Sequence, residues 1–250
     1  MQKLFDGPTG KKWTLVPCLL DHAMFLKNHG RLLLAYVGCC GCAAAIEHDL
    51  VEKVMVAVNS VNECPYCDGL HGQLARMAGV EDAEALRCQD KSCKSAESPA
   101  VKFAKTFGQG DGRGEVVDAA FKEIVEAEGA TRAASIRALA MFLMWGSLTG
   151  NTINCTKKRL ILVASPLGLT PFSLLFFLWY GPLFFLVFVV NSALKLLPKM
   201  ATQAWFFKVM GVVLWTLAGI WIAPVGLIGL LISPCASYPA AVTITSTMEA

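Results

Sequence analysis

The chain has 250 residues, of which 55% are hydrophobic and only 16% are charged, and its formal net charge is +3. An average soluble domain carries about 25% charged residues. The composition therefore excludes a disordered chain and a collagen-like chain. A net charge this small does not favour a phosphate-binding surface, so no nucleic-acid partner is expected.

The first part of the chain is predicted to be all-helical. Apolar residues recur at helical spacing over residues 49–61, 64–77, 115–128 and 131–145. Gly79 and Gly129 follow two of these segments and favour helix ends there. No clear period-two run between hairpin turns indicates a strand. We predict a bundle of about six helices.

Charge is confined almost entirely to the first 159 residues. Nineteen of the 22 Lys and Arg residues and 18 of the 19 Asp and Glu residues lie at or before Arg159. Residues 160–194 and 209–248 carry no charge at all. We therefore predict a helical domain over residues 1–159 and a membrane region over residues 160–250.

Two membrane-spanning helices are predicted in that region, at about residues 172–190 and 209–232, because a bilayer crossing needs about 20 mainly apolar residues. A short hairpin is an alternative for the first stretch, since Gly181-Pro182 interrupts it and Trp179-Tyr180 suits a turn at the membrane interface. A pair of buried core helices is another alternative. We expect a multi-pass integral membrane protein, and the compartment and orientation stay open.

Two of the ten cysteines form a C-x2-C motif at a predicted helix start. In Cys64-Pro65-Tyr66-Cys67, proline suits the first helical position, which places Cys64 at the cap and Cys67 in the first turn. Unpaired backbone N–H groups and the helix dipole stabilise a thiolate there. The pair can also close a disulfide and so exchange two electrons.

An imidazole and a carboxylate are predicted beside this pair. His71 follows Cys67 by four residues, so both lie on one helix face about 6 Å apart. The imidazole can then accept the thiol proton directly or through a water. Glu52 lies 12 positions before Cys64. If the two helices pack antiparallel, Glu52 returns beside His71 and orients its ring.

Glu52, Cys64, Cys67 and His71 form an E-x11-C-x2-C-x3-H pattern. This pattern resembles the AhpD-like alkylhydroperoxidases of the carboxymuconolactone decarboxylase superfamily, closely over residues 46–80 and more loosely to about residue 154. The resemblance implies an all-α, AhpD-like helical bundle, here followed by C-terminal transmembrane helices, in a protein that is usually a homo-oligomer. The best-known members have a histidine immediately before the second cysteine, where this chain has Tyr66. That difference leaves the peroxide turnover rate and the choice of reductant open.

The resemblance further implies a thiol-dependent peroxidase. Carried over by position, Cys67 is the peroxidatic thiol, Cys64 is the resolving thiol, and His71 (through a water) and Glu52 form the proton relay. The expected partners are a hydroperoxide substrate, a lipoamide- or thioredoxin-like dithiol reductant and membrane lipid, with no cofactor and no metal. Decarboxylation is not expected, because the decarboxylase branch lacks the cysteine pair.

Three alternatives stay open. Cys64, Cys67, Cys88 and Cys93 have C-x2-C-x20-C-x4-C spacing, which is close to that of a structural zinc ribbon, although the strand hairpins of a ribbon are not predicted. The second alternative is an inactive membrane scaffold of the same fold, against which the four retained residues argue. The third is a thioredoxin-type fold, which the missing strands disfavour.

Overall fold

The computed structural model describes residues 11–37, 44–80, 98–161, 169–196 and 204–233. Within these ranges every regular element is a helix, which confirms the all-helical prediction. The eight helices are α1 (Leu15–Val37), α2 (His48–Asn62), α3 (Pro65–Met77), α4 (Pro99–Gln109), α5 (Glu115–Glu128), α6 (Ala130–Ile161), α7 (Pro171–Leu196) and α8 (Ala204–Ile232).

Three of the predicted helices occur with nearly the predicted ends, namely α2, α3 and α5. Helices α1 and α4 lie outside the four segments in which helical spacing predicts a helix. In the structure Pro99 is the first residue of α4, where a missing N–H is not needed. Ser98 caps this helix by accepting a hydrogen bond from the backbone N–H of Val101.

Helix α6 is longer than predicted, because it continues to Ile161 instead of ending at Trp145. Every residue from Ser147 to Thr156 is buried. Helix α6 packs against α1, α2, α3, α4, α5 and α7, so tertiary contacts outweigh the low helix propensity of its glycines.

The core of the bundle fixes the position of α2 relative to α6. Phe103 and Phe107 of α4, Met55 of α2, and Ile136 and Leu139 of α6 are fully buried side chains in one cluster. Burying a side chain of this size stabilises the fold by about 1.5–3 kcal/mol. These contacts hold α2 against α4 and α6, which fixes the position of Glu52 on α2.

Helices α7 and α8 are each long and apolar enough to cross a membrane, over Pro171–Lys195 and Trp205–Ile232. The predicted spans lie inside these two helices. Only 22% of the most apolar window of each helix is buried, which does not fit two buried core helices. Helix α7 runs through Pro182 without a break, so the hairpin alternative is wrong.

Both C-terminal helices lie against the bundle. Glycines let α8 approach α1 closely: a Cβ at Gly219 would lie 2.8 Å from Nε2 of His29, and one at Gly226 would lie 2.8 Å from the carbonyl oxygen of His22. Helix α7 packs on α6 and α3. All these helices contribute to one hydrophobic cluster, and the domain boundary at residue 159 stays a prediction from composition.

Two tryptophans join α7 to α8. The indole N–H of Trp179 donates to the carbonyl oxygen of Trp221 at 3.0 Å, and the indole N–H of Trp221 donates to the carbonyl oxygen of Trp179 at 2.8 Å. Each tryptophan lies three residues before a proline inside its helix, Pro182 or Pro224. The reciprocal bonds satisfy backbone and indole groups without water, as an apolar environment requires.

Candidate active site

The C-x2-C pair lies at the N-terminus of α3. Cys64 is the N-cap residue with extended backbone angles (φ −81°, ψ 117°), and Pro65 is the first helical residue. The sulfur of Cys64 accepts a hydrogen bond from the backbone N–H of Cys67 at 3.5 Å. Both thiols are free and buried. The helix terminus thus supplies a hydrogen-bond donor to the first sulfur.

Asn59 of α2 holds the backbone of Cys64 from both sides. Its Nδ2 donates to the carbonyl oxygen of Cys64, and its Oδ1 accepts from the N–H of Cys64, each at 3.2 Å. Between them the chain turns at Glu63, whose φ is 53°. The pattern of residue types gives no signal for this role, because it depends on the shape of the turn between α2 and α3.

The structure brings Glu52 and His71 together. Oε2 of Glu52 lies 2.9 Å from Nδ1 of His71, and both side chains are only 5% exposed. A carboxylate oxygen accepts, so Nδ1 carries the hydrogen and Nε2 of a neutral ring is left as the acceptor. This is the arrangement that antiparallel packing of α2 and α3 predicts.

Cys67 and His71 line one small cavity of about 60 Å³. The rest of its wall is mainly apolar and includes Phe142 of α6, Phe184 of α7 and Leu217 of α8. Cys64 has no exposed surface, whereas Cys67 keeps 6% of its surface. Cys67 is therefore the sulfur that a molecule in the cavity meets first. Apolar walls exclude bulk water and strengthen electrostatic interactions between the site residues.

The two thiols differ in the direction of their pKa shifts. Burial alone would raise the pKa of Cys64, but hydrogen bonds from the Cys67 thiol and from the backbone N–H groups of Cys67 and Tyr66 outweigh burial and lower it. Donating that thiol hydrogen bond to Cys64, together with burial, raises the pKa of Cys67. At rest Cys64 is the favoured thiolate. A reaction at the sulfur of Cys67 would first require loss of its proton, and His71 lines the same cavity.

Two glycines of α6 lie close to the sulfurs of Cys64 and Cys67. A Cβ at Gly150 would lie 2.5 Å from the sulfur of Cys64 and 2.8 Å from the ring of Phe184. A Cβ at Gly146 would lie 3.9 Å from the sulfur of Cys67, which is an ordinary contact distance. The site is thus built on α2, α3, α6, α7 and α8, and sequence reasoning missed the contributions of the last three helices.

A second buried histidine, His22 of α1, does not line the cavity that contains Cys67 and His71. The indole N–H of Trp145 donates to its Nε2 at 3.0 Å, and its Nδ1 lies 2.6 Å from the carbonyl oxygen of Cys18. Burial lowers the pKa of His22 to about 4. Burial also raises the pKa of the Cys18 thiol to about 12. Both ring nitrogens of His22 therefore have a polar partner within the core.

The zinc alternative depends on Cys88 and Cys93, which lie outside the described residues. Within the ranges that the structure covers, no group of three or more His, Cys, Asp and Glu side chains is placed to hold a metal ion. The four-cysteine zinc site is therefore neither supported nor contradicted.

Comparison of the chain with protein-family models, with curated proteins and with solved structures finds no match in any of the three. The resemblance to AhpD-like proteins therefore stays a prediction, carried by four residues and their spacing.

Proposed function

We propose that this chain is a membrane-anchored, AhpD-like thiol peroxidase that reduces hydroperoxides through a Cys64–Cys67 dithiol–disulfide cycle. The observation that carries the proposal is the buried Glu52–His71 pair on the same helix pair as a C-x2-C motif, with Cys67 and His71 facing one apolar cavity. A carboxylate that orients an imidazole next to a nucleophile is a general solution for proton transfer.

The first half of the cycle consumes the hydroperoxide. Cys67 transfers its proton to His71, and its thiolate attacks the terminal oxygen of ROOH. The O–O bond breaks, an S–O bond forms, and the alkoxide takes a proton from His71 and leaves as ROH. Cys67 is now a sulfenic acid. Glu52 stabilises the imidazolium that exists between these two proton transfers.

The second half of the cycle restores the dithiol. Cys64 attacks the sulfur of the sulfenic acid, so an S–S bond forms and water leaves. An external dithiol of the lipoamide or thioredoxin kind then reduces this disulfide by thiol–disulfide exchange and is itself oxidised. The balance is one hydroperoxide and one dithiol converted to one alcohol, one water and one disulfide, so no cofactor is needed.

The proposal includes integration into a membrane through α7 and α8, as a multi-pass protein. Two helices of sufficient length and their exposed apolar side chains, including Leu175, Phe185 and Leu231, support it. Assembly into a homo-oligomer is proposed only because the AhpD-like resemblance implies it.

The test is steady-state turnover of the full chain in detergent or lipid nanodiscs, followed as hydroperoxide-dependent oxidation of dihydrolipoamide or reduced thioredoxin. Cys67→Ser is expected to reduce turnover to background, because it removes the attacking sulfur. Cys64→Ser is expected to stop after one event, with a sulfenic acid trapped on Cys67. Cys155→Ala, which removes another buried thiol, is the matched control. Wild-type turnover by Cys67→Ser would refute the proposed roles.

A further inference from the structure

A second and larger cavity lies beside the cysteine site, between α6 and α7. Its volume is about 580 Å³, which is the size of many small-molecule sites. We call it the α6–α7 groove. Its wall is mainly apolar, with Ile153 on α6 and Phe177, Phe185 and Phe188 on α7. Gly181 leaves room in the wall, because a Cβ there would meet no atom within 4 Å.

This groove and the cavity at the cysteine site share part of their walls. Tyr66 and Phe184 line both the groove and the cavity that contains Cys67 and His71. Their rings meet edge to face, with centroids 5.5 Å apart and an interplanar angle of 80°. Tyr66 is the less buried ring of the pair, so a rotamer change of Tyr66 separates the two rings without backbone rearrangement. The two spaces can therefore be joined by moving this aromatic pair.

A cation lies in the groove next to the aromatic pair. Lys157 lines the groove, and its Nζ donates to the hydroxyl of Tyr66 at 3.2 Å and lies 5.6 Å from the centre of that ring. Among the described residues that line the groove, it is the charged one. A single cation in an apolar groove is complementary to a molecule with one carboxylate and a long hydrocarbon chain.

We propose that the α6–α7 groove binds a long-chain fatty-acid hydroperoxide from the surrounding lipid, with its carboxylate on Lys157 and its chain folded back within the groove, and that displacement of the Tyr66–Phe184 pair admits the oxidised carbon to Cys67. This inference rests on the proposed peroxidase function and names its substrate. The groove opens on a helix that is apolar enough for a bilayer, so the substrate reaches Cys67 from lipid. The chemistry at Cys67 is the balanced cycle given above.

The test uses the full chain in phosphatidylcholine nanodiscs with excess dithiol and three substrates: a long-chain fatty-acid hydroperoxide, its methyl ester and tert-butyl hydroperoxide. Wild-type kcat/KM is expected to be highest for the acid. Lys157→Gln is expected to lower the acid-to-ester ratio of kcat/KM about tenfold, because a charge-assisted contact is lost. Lys158→Gln changes an exposed neighbouring lysine that does not line the groove, and it is expected to leave the ratio unchanged.

A second pair of variants tests the groove without changing charge. Gly181→Leu fills the groove and is expected to lower kcat/KM for the acid relative to tert-butyl hydroperoxide. Ala193→Leu makes a similar addition at an exposed position of α7 away from the groove, and it is expected to leave that ratio unchanged. Equal ratios for Gly181→Leu and wild type, or reduction of acid and ester at equal rates, would overturn the substrate assignment. If wild type reduces none of the three, the peroxidase function itself fails.

Discussion

Cys64 and Cys67 are two residues of the same type that occupy unequal positions. Cys64 caps α3, accepts a backbone hydrogen bond and has a lowered pKa, whereas Cys67 lines the cavity and has a raised pKa. The resting negative charge therefore favours the sulfur that does not line the cavity. In the proposed cycle, the sulfur that lines the cavity stays protonated until a base accepts its proton.

A titration of thiolate absorbance against pH tests this inequality. We expect one thiolate to form below the ordinary cysteine pKa of about 8.5. This transition is expected to remain in Cys67→Ser, because a serine hydroxyl and the backbone N–H groups still donate to Cys64. It is expected to vanish in Cys64→Ser, which leaves Cys67 to ionise above the ordinary range.

The lowered pKa of Cys64 also determines how the contribution of this residue to the stability of the fold depends on pH. Because the pKa of Cys64 is lower in the folded protein, ionised Cys64 stabilises the fold fully above the ordinary cysteine pKa. That contribution is lost as the pH falls through the lowered pKa of Cys64.

The thiolate titration also has a result that would contradict the assignment. This result is a Cys64→Ser variant that keeps the wild-type thiolate transition below the ordinary cysteine pKa.

The four site residues could be predicted from the sequence for different reasons. Cys64, Cys67 and His71 follow from helical spacing within one short segment. Glu52 required one assumption about how two adjacent helices pack, and the structure places it 2.9 Å from the ring of His71. Asn59 could not be predicted, because its two bonds to Cys64 exist only in the folded turn.

At the scale of elements, α6 contributes to the candidate site through two glycines, which have no side chain to occupy the space beside the cysteines. Gly146 and Gly150 let its backbone approach the sulfur pair, and the two positions differ in how much space a methyl group would find. Only Gly150 leaves no room, since both the sulfur of Cys64 and the ring of Phe184 lie within 3 Å of its Cβ position.

Alanine at these two glycines is therefore expected to have opposite effects on thermal stability. Alanine in a helix interior gains about 1 kcal/mol over glycine. Gly146→Ala keeps that gain, because its nearest contact is ordinary, and we expect a higher unfolding midpoint. Gly150→Ala adds an overpacking cost of about 1–3 kcal/mol and displaces Cys64 or Phe184. We expect a lower unfolding midpoint and a disturbed thiolate titration. Equal shifts in the same direction would contradict this account of the packing.

The second half of α6 shows why a prediction from apolar periodicity alone places the end of this helix too early. After Trp145 the sequence carries glycines and buried polar residues, so the apolar pattern stops although the helix does not. Tertiary hydrogen bonds serve two of these polar side chains, Asn151 and Ser147. Nδ2 of Asn151 donates to the carbonyl oxygen of Asn62 at 2.6 Å, and Nδ2 of Asn62 donates to Ser147 at 2.7 Å. Such partners lie far away in sequence and leave no local signal.

At the scale of the whole molecule, the apolar C-terminal helices take part in the candidate site. Phe184 of α7 and Leu217 of α8 form part of the wall around Cys67. Hydropathy predicted that these helices exist, but a helix that is apolar on all sides does not indicate which face meets the bundle. Residues 1–159 alone would leave the cavity without this wall, so the full chain is the form in which to study the chemistry.

Oxidation of the full chain by one equivalent of hydroperoxide tests the central claim most directly. The reduced protein in lipid nanodiscs is freed of excess reductant, treated, and analysed by intact mass and peptide mapping. We expect each protomer to lose two hydrogens, with the disulfide located between Cys64 and Cys67 and one peroxide consumed per disulfide. Cys67→Ser is expected to prevent this change. A Cys64–Cys67 pair that stays reduced, or a tightly bound zinc ion held by its sulfurs, would contradict the account.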